Sequence, residues 1–232
     1  MFRRLFLNFV VLFTLLSASA ADKFLPADCT ALIELLPPPP ANDSVLGRAE
    51  LETVLKVQAD RTAEQVHRAK RVANQTVTSF ARPVLGDWFQ AQDFPRTLAI
   101  FEEIGRESRK IIDDQVKKRW NRARPYLRSS AVQPVVGRPD NTSYPSGHSA
   151  DSALYAVILA VVVPEHAADW QEQARLVRWS RIIGGAHYPS DTVAGQLLGE
   201  AIAREMLKSP ALQAALLEVR AELAAQLLKK AA

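Results

Sequence analysis

The stretch "YPSGHSADSALYAVILAVVVP", residues 144–164, decides the fold. From Ser149 to Val163 it is a nearly unbroken apolar run, halted by Pro164. Such a run is long enough for a buried helix and too short to span a bilayer, which takes about 20 apolar residues. A histidine, His148, stands at its mouth behind Pro-Ser-Gly. A buried helix gains nothing from a titratable ring at its threshold unless the ring, or the backbone around it, handles an anion.

Outward from this run, apolar residues recur at helical spacing in most segments. The pattern predicts one or two helices over 45–81, ending before Arg82-Pro83. In the next helix Phe101, Ile104, Ile111, Ile112 and Val116 form a stripe, and Lys117 falls near its end. Residues 126–144 read as a loop. Further helices are predicted over 165–182, broken by Gly184-Gly185, and from a Ser190 N-cap to about Lys208. The last helix follows Pro210 and places Leu212, Ala215, Leu216, Val219, Leu223 and Leu227 on one face, a stripe that suits a core or the seam of a homodimer. No segment alternates convincingly as a strand. The expected fold is all-α, a single-domain helical bundle.

The ends of this picture are set by composition. Residues 1–20 carry Arg3 and Arg4, an apolar core from Leu5 to Leu16, and Ala18-Ser19-Ala20, the layout of a secretory signal peptide. Removing it lowers the net charge from +4 to +2, too mild for a surface that binds nucleic acid broadly. No spanning segment is then expected in the mature chain. The lone cysteine, Cys29, has no partner for an intramolecular disulfide. Residues 21–44 read as an arm, with Pro37 to Pro40 imposing an extended path, and 45–232 as the helical domain.

Three islands carry the chemistry. "KKRWNRARPYLR", residues 117–128, supplies Lys117 and Arg124; its Lys118, Arg119 and Arg128 read as a solvated helix end. "YPSGH" is a tight turn whose free N–H groups and helix dipole suit an anion, with Gly147 admitting close approach. "SRIIGGAHYPSD", residues 180–191, adds Arg181, His187 and Asp191. Three cations, an anion-binding turn, two histidines and an acid form a complete set for phosphoryl transfer, where catalysis is chiefly positioning and charge stabilisation. Asp191 lies four residues after His187, so it can fix the tautomer and leave the other ring nitrogen free to attack. His148, beside the anion turn, takes the role of general acid and then base.

The pattern Lys117, Arg124, Pro125, then Pro145 to His148, then Ser180, Arg181, His187, Asp191 resembles the three-part signature of the phosphatidic acid phosphatase type 2 and vanadium haloperoxidase superfamily. Size, leader and the proline-rich arm make it most similar to the bacterial class A non-specific acid phosphatases. The resemblance implies an all-α fold, hydrolysis of small phosphate monoesters without metal or cofactor through a phosphohistidine at His187, some phosphotransfer to alcohols, and a periplasmic location. It implies phosphate ligands at Lys117, Arg124, Ser146, Gly147, His148 and Arg181. Two positions depart from the class A signature, Thr142 for a glycine and Ser149 for a threonine. A vanadate-dependent haloperoxidase would use the same residues, and a non-catalytic anion- or nucleic-acid-binding protein would use the basic island alone.

His67 and His166 lie outside every island and are given no role. Glu102-Glu103 and Asp113-Asp114 are adjacent on helices, do not face one another, and read as solvated.

Overall fold

The apolar run forms α8, Gly147–Val162, in a computed structural model that describes residues 24–231. The predicted signal peptide lies outside the described residues, and of Ala231 only the backbone is described. Ser146 caps α8, its Oγ accepting the Ser149 N–H, and Pro164 stops it. Because the helix is apolar around most of its circumference it can only be central. It packs most extensively against α10, Pro189–Met206, and α9, Ala167–Ile183.

Two glycines set how close α8 and α10 come. A Cβ on Gly195 would sit 2.4 Å from the carbonyl oxygen of Ser146, and one on Gly199 2.1 Å from that of Ala150. The backbones therefore touch where α8 begins, and Ser146 N–H donates to the Asp191 carbonyl at 2.9 Å. The anion turn and the start of α10 are thereby one rigid unit.

Around this pair stand α2 (Val45–Asp60), α3 (Ala63–Val72), α4 (Val77–Leu85), α5 (Pro95–Ile111) and α11 (Pro210–Ala231). The predicted one or two helices over 45–81 are three. Thr62 and Thr76 each cap a new helix reciprocally with the residue three further on, and α4 runs through Pro83 to Gly86, whose φ of 95° ends it. Pro83 lies in the last turn, where its missing N–H removes one bond, that to the Ser79 carbonyl, shortly before the helix ends. Ser190 is not the N-cap of α10 either: Tyr188 holds that position with Pro189 at the first helical residue, which suits a proline. On α11 the stripe is buried from Leu212 to Leu223, but Leu227 is 49% exposed.

Before α2, a short helix α1 (Thr30–Glu34) and the residues around it pack inward. Leu25, Leu32, Ile33 and Leu36 join the main core, and the buried carboxylate of Glu107 accepts the Phe24 and Leu25 N–H groups at 2.9 and 2.8 Å. No strand occurs among the described residues, and no described helix is long and apolar enough to cross a membrane.

Candidate active site

The three islands meet at one cavity of about 330 Å³, lined by Lys117, Arg124, Gly147, His148, Arg181 and His187 among others. Each arrives by a local device. α5 passes through a π-helical turn, Ile112–Val116, into the single turn α6, Lys117–Trp120, which ends at Asn121 in the left-handed region (φ 38°). This swings Lys117 inward and starts the strand-like path to Arg124, before Pro125 opens a short helix α7, Pro125–Arg128. At the other side, α9 ends in a Schellman motif: Ala186 N–H donates to Arg181 C=O, Gly185 N–H to Ile182 C=O, and Gly185 takes φ 69°. The motif leaves Arg181 in the last turn and delivers His187 immediately after it.

Cations dominate the wall. Arg124 donates through Nη1 to Ala186 C=O (2.9 Å) and approaches His187 Nε2 (3.0 Å), while Nε and Nη2 reach the Asn141 carbonyl (2.9 Å) and side-chain oxygen (2.6 Å). Lys117 Nζ donates to Thr142 C=O at 3.0 Å, and the Thr142 hydroxyl, the signature's departure at 142, donates to the Lys117 backbone carbonyl. Arg181 is buried, with Nε and Nη1 lacking any partner. A buried guanidinium left unpaired calls for an anion. Burial lowers the Lys117 pKa to about 8 and that of Arg181 to about 10, the neighbouring Arg124 adding to both.

His187 is 2% exposed and its pKa is pushed well below the ordinary imidazole value, chiefly by burial, although Asp191 pulls the other way. It is therefore neutral. Its Nδ1 lies 3.4 Å from Asp191 Oδ2, and its Nε2 faces Arg124 and the cavity. Asp191 is wholly buried, yet its pKa is lowered, because His187, Arg122 and Ser143 outweigh burial. A charged carboxylate beside Nδ1 places the proton there and leaves the Nε2 lone pair on the cavity side, where Arg124 Nη1–H donates to it.

Two expected roles change in detail. Ser146 does not line the cavity: its Oγ accepts both the Ser149 N–H and hydroxyl, leaving only its own proton for a ligand. A Cβ on Gly147 would meet open space, so no packing contact within the fold requires glycine there. His148 lines the cavity, but burial and Arg181 lower its pKa to about 3, so it is neutral in the free site, with Nε2 3.1 Å from Ala73 C=O.

Sequence reasoning missed several residues. Arg122, Glu50 and Ser143 surround Asp191 behind the wall, while Arg109, Asp151 and Asp113 line the cavity. Asp113 is exposed as expected but not merely solvated. Arg128 is not a solvated end: it is half-buried and donates to Gly47 and Asn42 carbonyls, tying the arm to α2. Asp151, three residues after His148, carried a legible signal, an acid inside an otherwise apolar run. Among the described residues no group of three or more His, Cys, Asp or Glu side chains could hold a metal ion.

Comparison with known proteins places this arrangement. The PAP2 superfamily pattern matches residues 108–213. The chain is 32% identical over 198 residues to a non-specific acid phosphatase of Salmonella typhi, covering 81% of this chain and 78% of that one. Among solved structures it resembles a transmembrane PAP2-type phosphatidylglycerolphosphate phosphatase of Bacillus subtilis (TM-score 0.54, 18% identity, 77% of this chain and 90% of that one). It also resembles a bacterial vanadium-dependent iodoperoxidase (TM-score 0.58, 20% identity, 75% of this chain and 52% of that one).

Proposed function

The chain belongs to the PAP2 superfamily and is a phosphomonoester hydrolase, and we propose that it is an exported, periplasmic acid phosphatase working through a phosphohistidine on His187. One observation carries the reading: Lys117, Arg124 and Arg181, none of them in a salt bridge among the described residues, converge on one cavity beside the Nε2 of a neutral histidine.

A phosphate dianion entering the cavity meets these cations and the N–H groups at the start of α8. As Arg124 exchanges its contact with Nε2 for the phosphate oxygens, the Nε2 lone pair of His187 forms a bond to phosphorus and the ester P–O bond breaks. The imidazole becomes cationic, and Asp191 at Nδ1 stabilises it. Arg124 and Arg181 hold the equatorial oxygens, where charge spreads in the transition state. The leaving oxygen takes a proton from His148.

That proton is taken up from solution by His148 as the dianion binds. His148 is held neutral by burial and by Arg181, Arg124 and Lys117, and a bound dianion offsets those three charges. The direction favours acid solution. In the second half His148 accepts a proton from water, the water oxygen bonds to phosphorus, the P–N bond breaks, and phosphate leaves. An alcohol in the place of that water gives phosphotransfer.

The test is hydrolysis of p-nitrophenyl phosphate by the mature chain with and without EDTA. Turnover that survives chelation and falls at least about 10³-fold in His187→Ala supports the reading. Loss on chelation, or bromide oxidation with peroxide and vanadate in place of hydrolysis, overturns it.

A further inference from the structure

Behind the catalytic wall lies a charged knot that the phosphatase mechanism leaves without a role. Arg122 Nη1 donates to Asp191 Oδ1 at 2.6 Å and to Ser190 Oγ at 2.8 Å; its Nη2 donates to Glu50 Oε2 at 2.7 Å. Glu50 Oε1 accepts the Ser190 N–H at 2.6 Å, and the Arg122 guanidinium lies 4.1 Å from the centre of the Tyr188 ring. All three charged side chains are buried, none more than 6% exposed. Glu50 comes from α2, Arg122 from the link between α6 and α7, and Asp191 from the first turn of α10. Nothing local demands such a knot, since capping one helix needs only a neutral acceptor.

The knot's geometry partitions the oxygens of Asp191. Oδ1 is taken by Arg122, while Oδ2 accepts the Tyr188 N–H and the Ser143 hydroxyl and faces His187 Nδ1. We propose that Glu50 and Arg122 are positioning residues that fix the orientation of Asp191 and tune the charge it presents to His187. The proposal rests on His187 being the nucleophile.

The electrostatic sense is definite. Asp191 alone would stabilise a cationic imidazole strongly; Arg122 subtracts from that, and Glu50 subtracts from Arg122. The other groups facing His187 are Ser143, Arg124 and Arg181, and Asp191 is also within reach of the charges of Lys117 and Arg124. None of these touches Glu50. Neutralising Glu50 therefore leaves Arg122 paired with Asp191 alone and makes His187 a weaker base. Neutralising Arg122 does the reverse. A merely structural pair would not move the two variants in opposite directions.

The experiment compares wild type, Glu50→Gln, Arg122→Gln and Arg122→Lys, reading the acid limb of kcat/KM against pH and the ¹⁵N signals of the His187 ring. The limb is expected to move down in Glu50→Gln and up in Arg122→Gln, each by on the order of half a pH unit or more, with Arg122→Lys near wild type. Limbs that stay put while activity falls, or that move the same way, overturn the proposal. If Arg122→Gln does not fold, the downward shift in Glu50→Gln decides alone. The ring signals do not depend on turnover. A wild type that hydrolyses no monoester, with ring signals that still shift in opposite directions in Glu50→Gln and Arg122→Gln, sinks the proposed function and not the positioning role, whereas normal turnover with ring signals unmoved in the two variants sinks only the positioning role.

Discussion

Arg122 and Arg181 are both buried guanidiniums at one site, and their surroundings are opposite. Arg122 holds two carboxylates, Glu50 and Asp191, whereas Arg181 has Nε and Nη1 without any partner and no acid against it. Arg124 sides with Arg181, its bonds going to neutral oxygens and a neutral ring. The difference teaches how to sort a cluster of cations by function. Where burial is matched by acids, the charge builds the scaffold; where it is unmatched, the protein keeps an energetic deficit that only an incoming anion removes.

The sharpest way to break that comparison is to remove each arginine in turn. Arg122→Ala leaves Glu50 and Asp191 as buried charges without their shared partner, and is expected to lose about 3–5 kcal/mol of stability in denaturant unfolding. Arg181→Ala removes a charge that nothing in the fold compensates. It should unfold within about 1 kcal/mol of wild type while kcat/KM drops about 10²–10³-fold. Equal destabilisation of the two would erase the distinction.

Lys117 tests the unmatched side by pH. With its pKa lowered to about 8, it is charged below that point and neutral above it. Affinity for inorganic phosphate, which keeps its dianionic charge above neutrality, should therefore fall by about tenfold as pH climbs past 8. Competitive inhibition measured from pH 7.5 to 9, below the range in which Arg181 titrates, reads this, and Lys117→Met should show weaker but flat affinity.

A smaller effect belongs to Asp151, an acid on the cavity wall whose pKa burial raises to about 6. Ionised, it repels an anion. Sulfate affinity should weaken a few-fold as pH rises through about 6 in wild type, relative to an Asp151→Asn variant in which that contribution is gone. Parallel curves for the two proteins would show that Asp151 does not feel the ligand.

The two sides of the comparison were unequally legible in the sequence. Lys117, Arg124, Gly147, His148, Arg181 and His187 announce themselves through local devices, a helix start after Pro-Ser-Gly and a helix end at Gly-Gly, and all of them reach the cavity. The matched side is invisible at that range. Glu50 meets the Ser190 N–H across 140 positions, and nothing in α2 marks it from any surface glutamate. The helical fold was readable from spacing. The contact that seats α8 on α10 was not, since Gly195 and Gly199 look like weak helix residues until the carbonyls of Ser146 and Ala150 are seen beside them. The same blindness let Lys118, Arg119 and Arg128 read alike, although the first two stand in solvent and the third is half-buried against the carbonyls of Gly47 and Asn42.

The central claim is that the His187 Nε2, freed by a proton fixed on Nδ1 toward Asp191, attacks phosphorus. Rapid acid-free quenching of the enzyme during turnover of a ³²P-labelled monoester, followed by peptide mapping, tests it most directly. The account predicts acid-labile, base-stable label on the peptide containing His187, absent in His187→Ala and still formed in His148→Ala, where its breakdown is slowed. Label on His148 or on a serine, or turnover at the wild-type rate in His187→Ala, would contradict it.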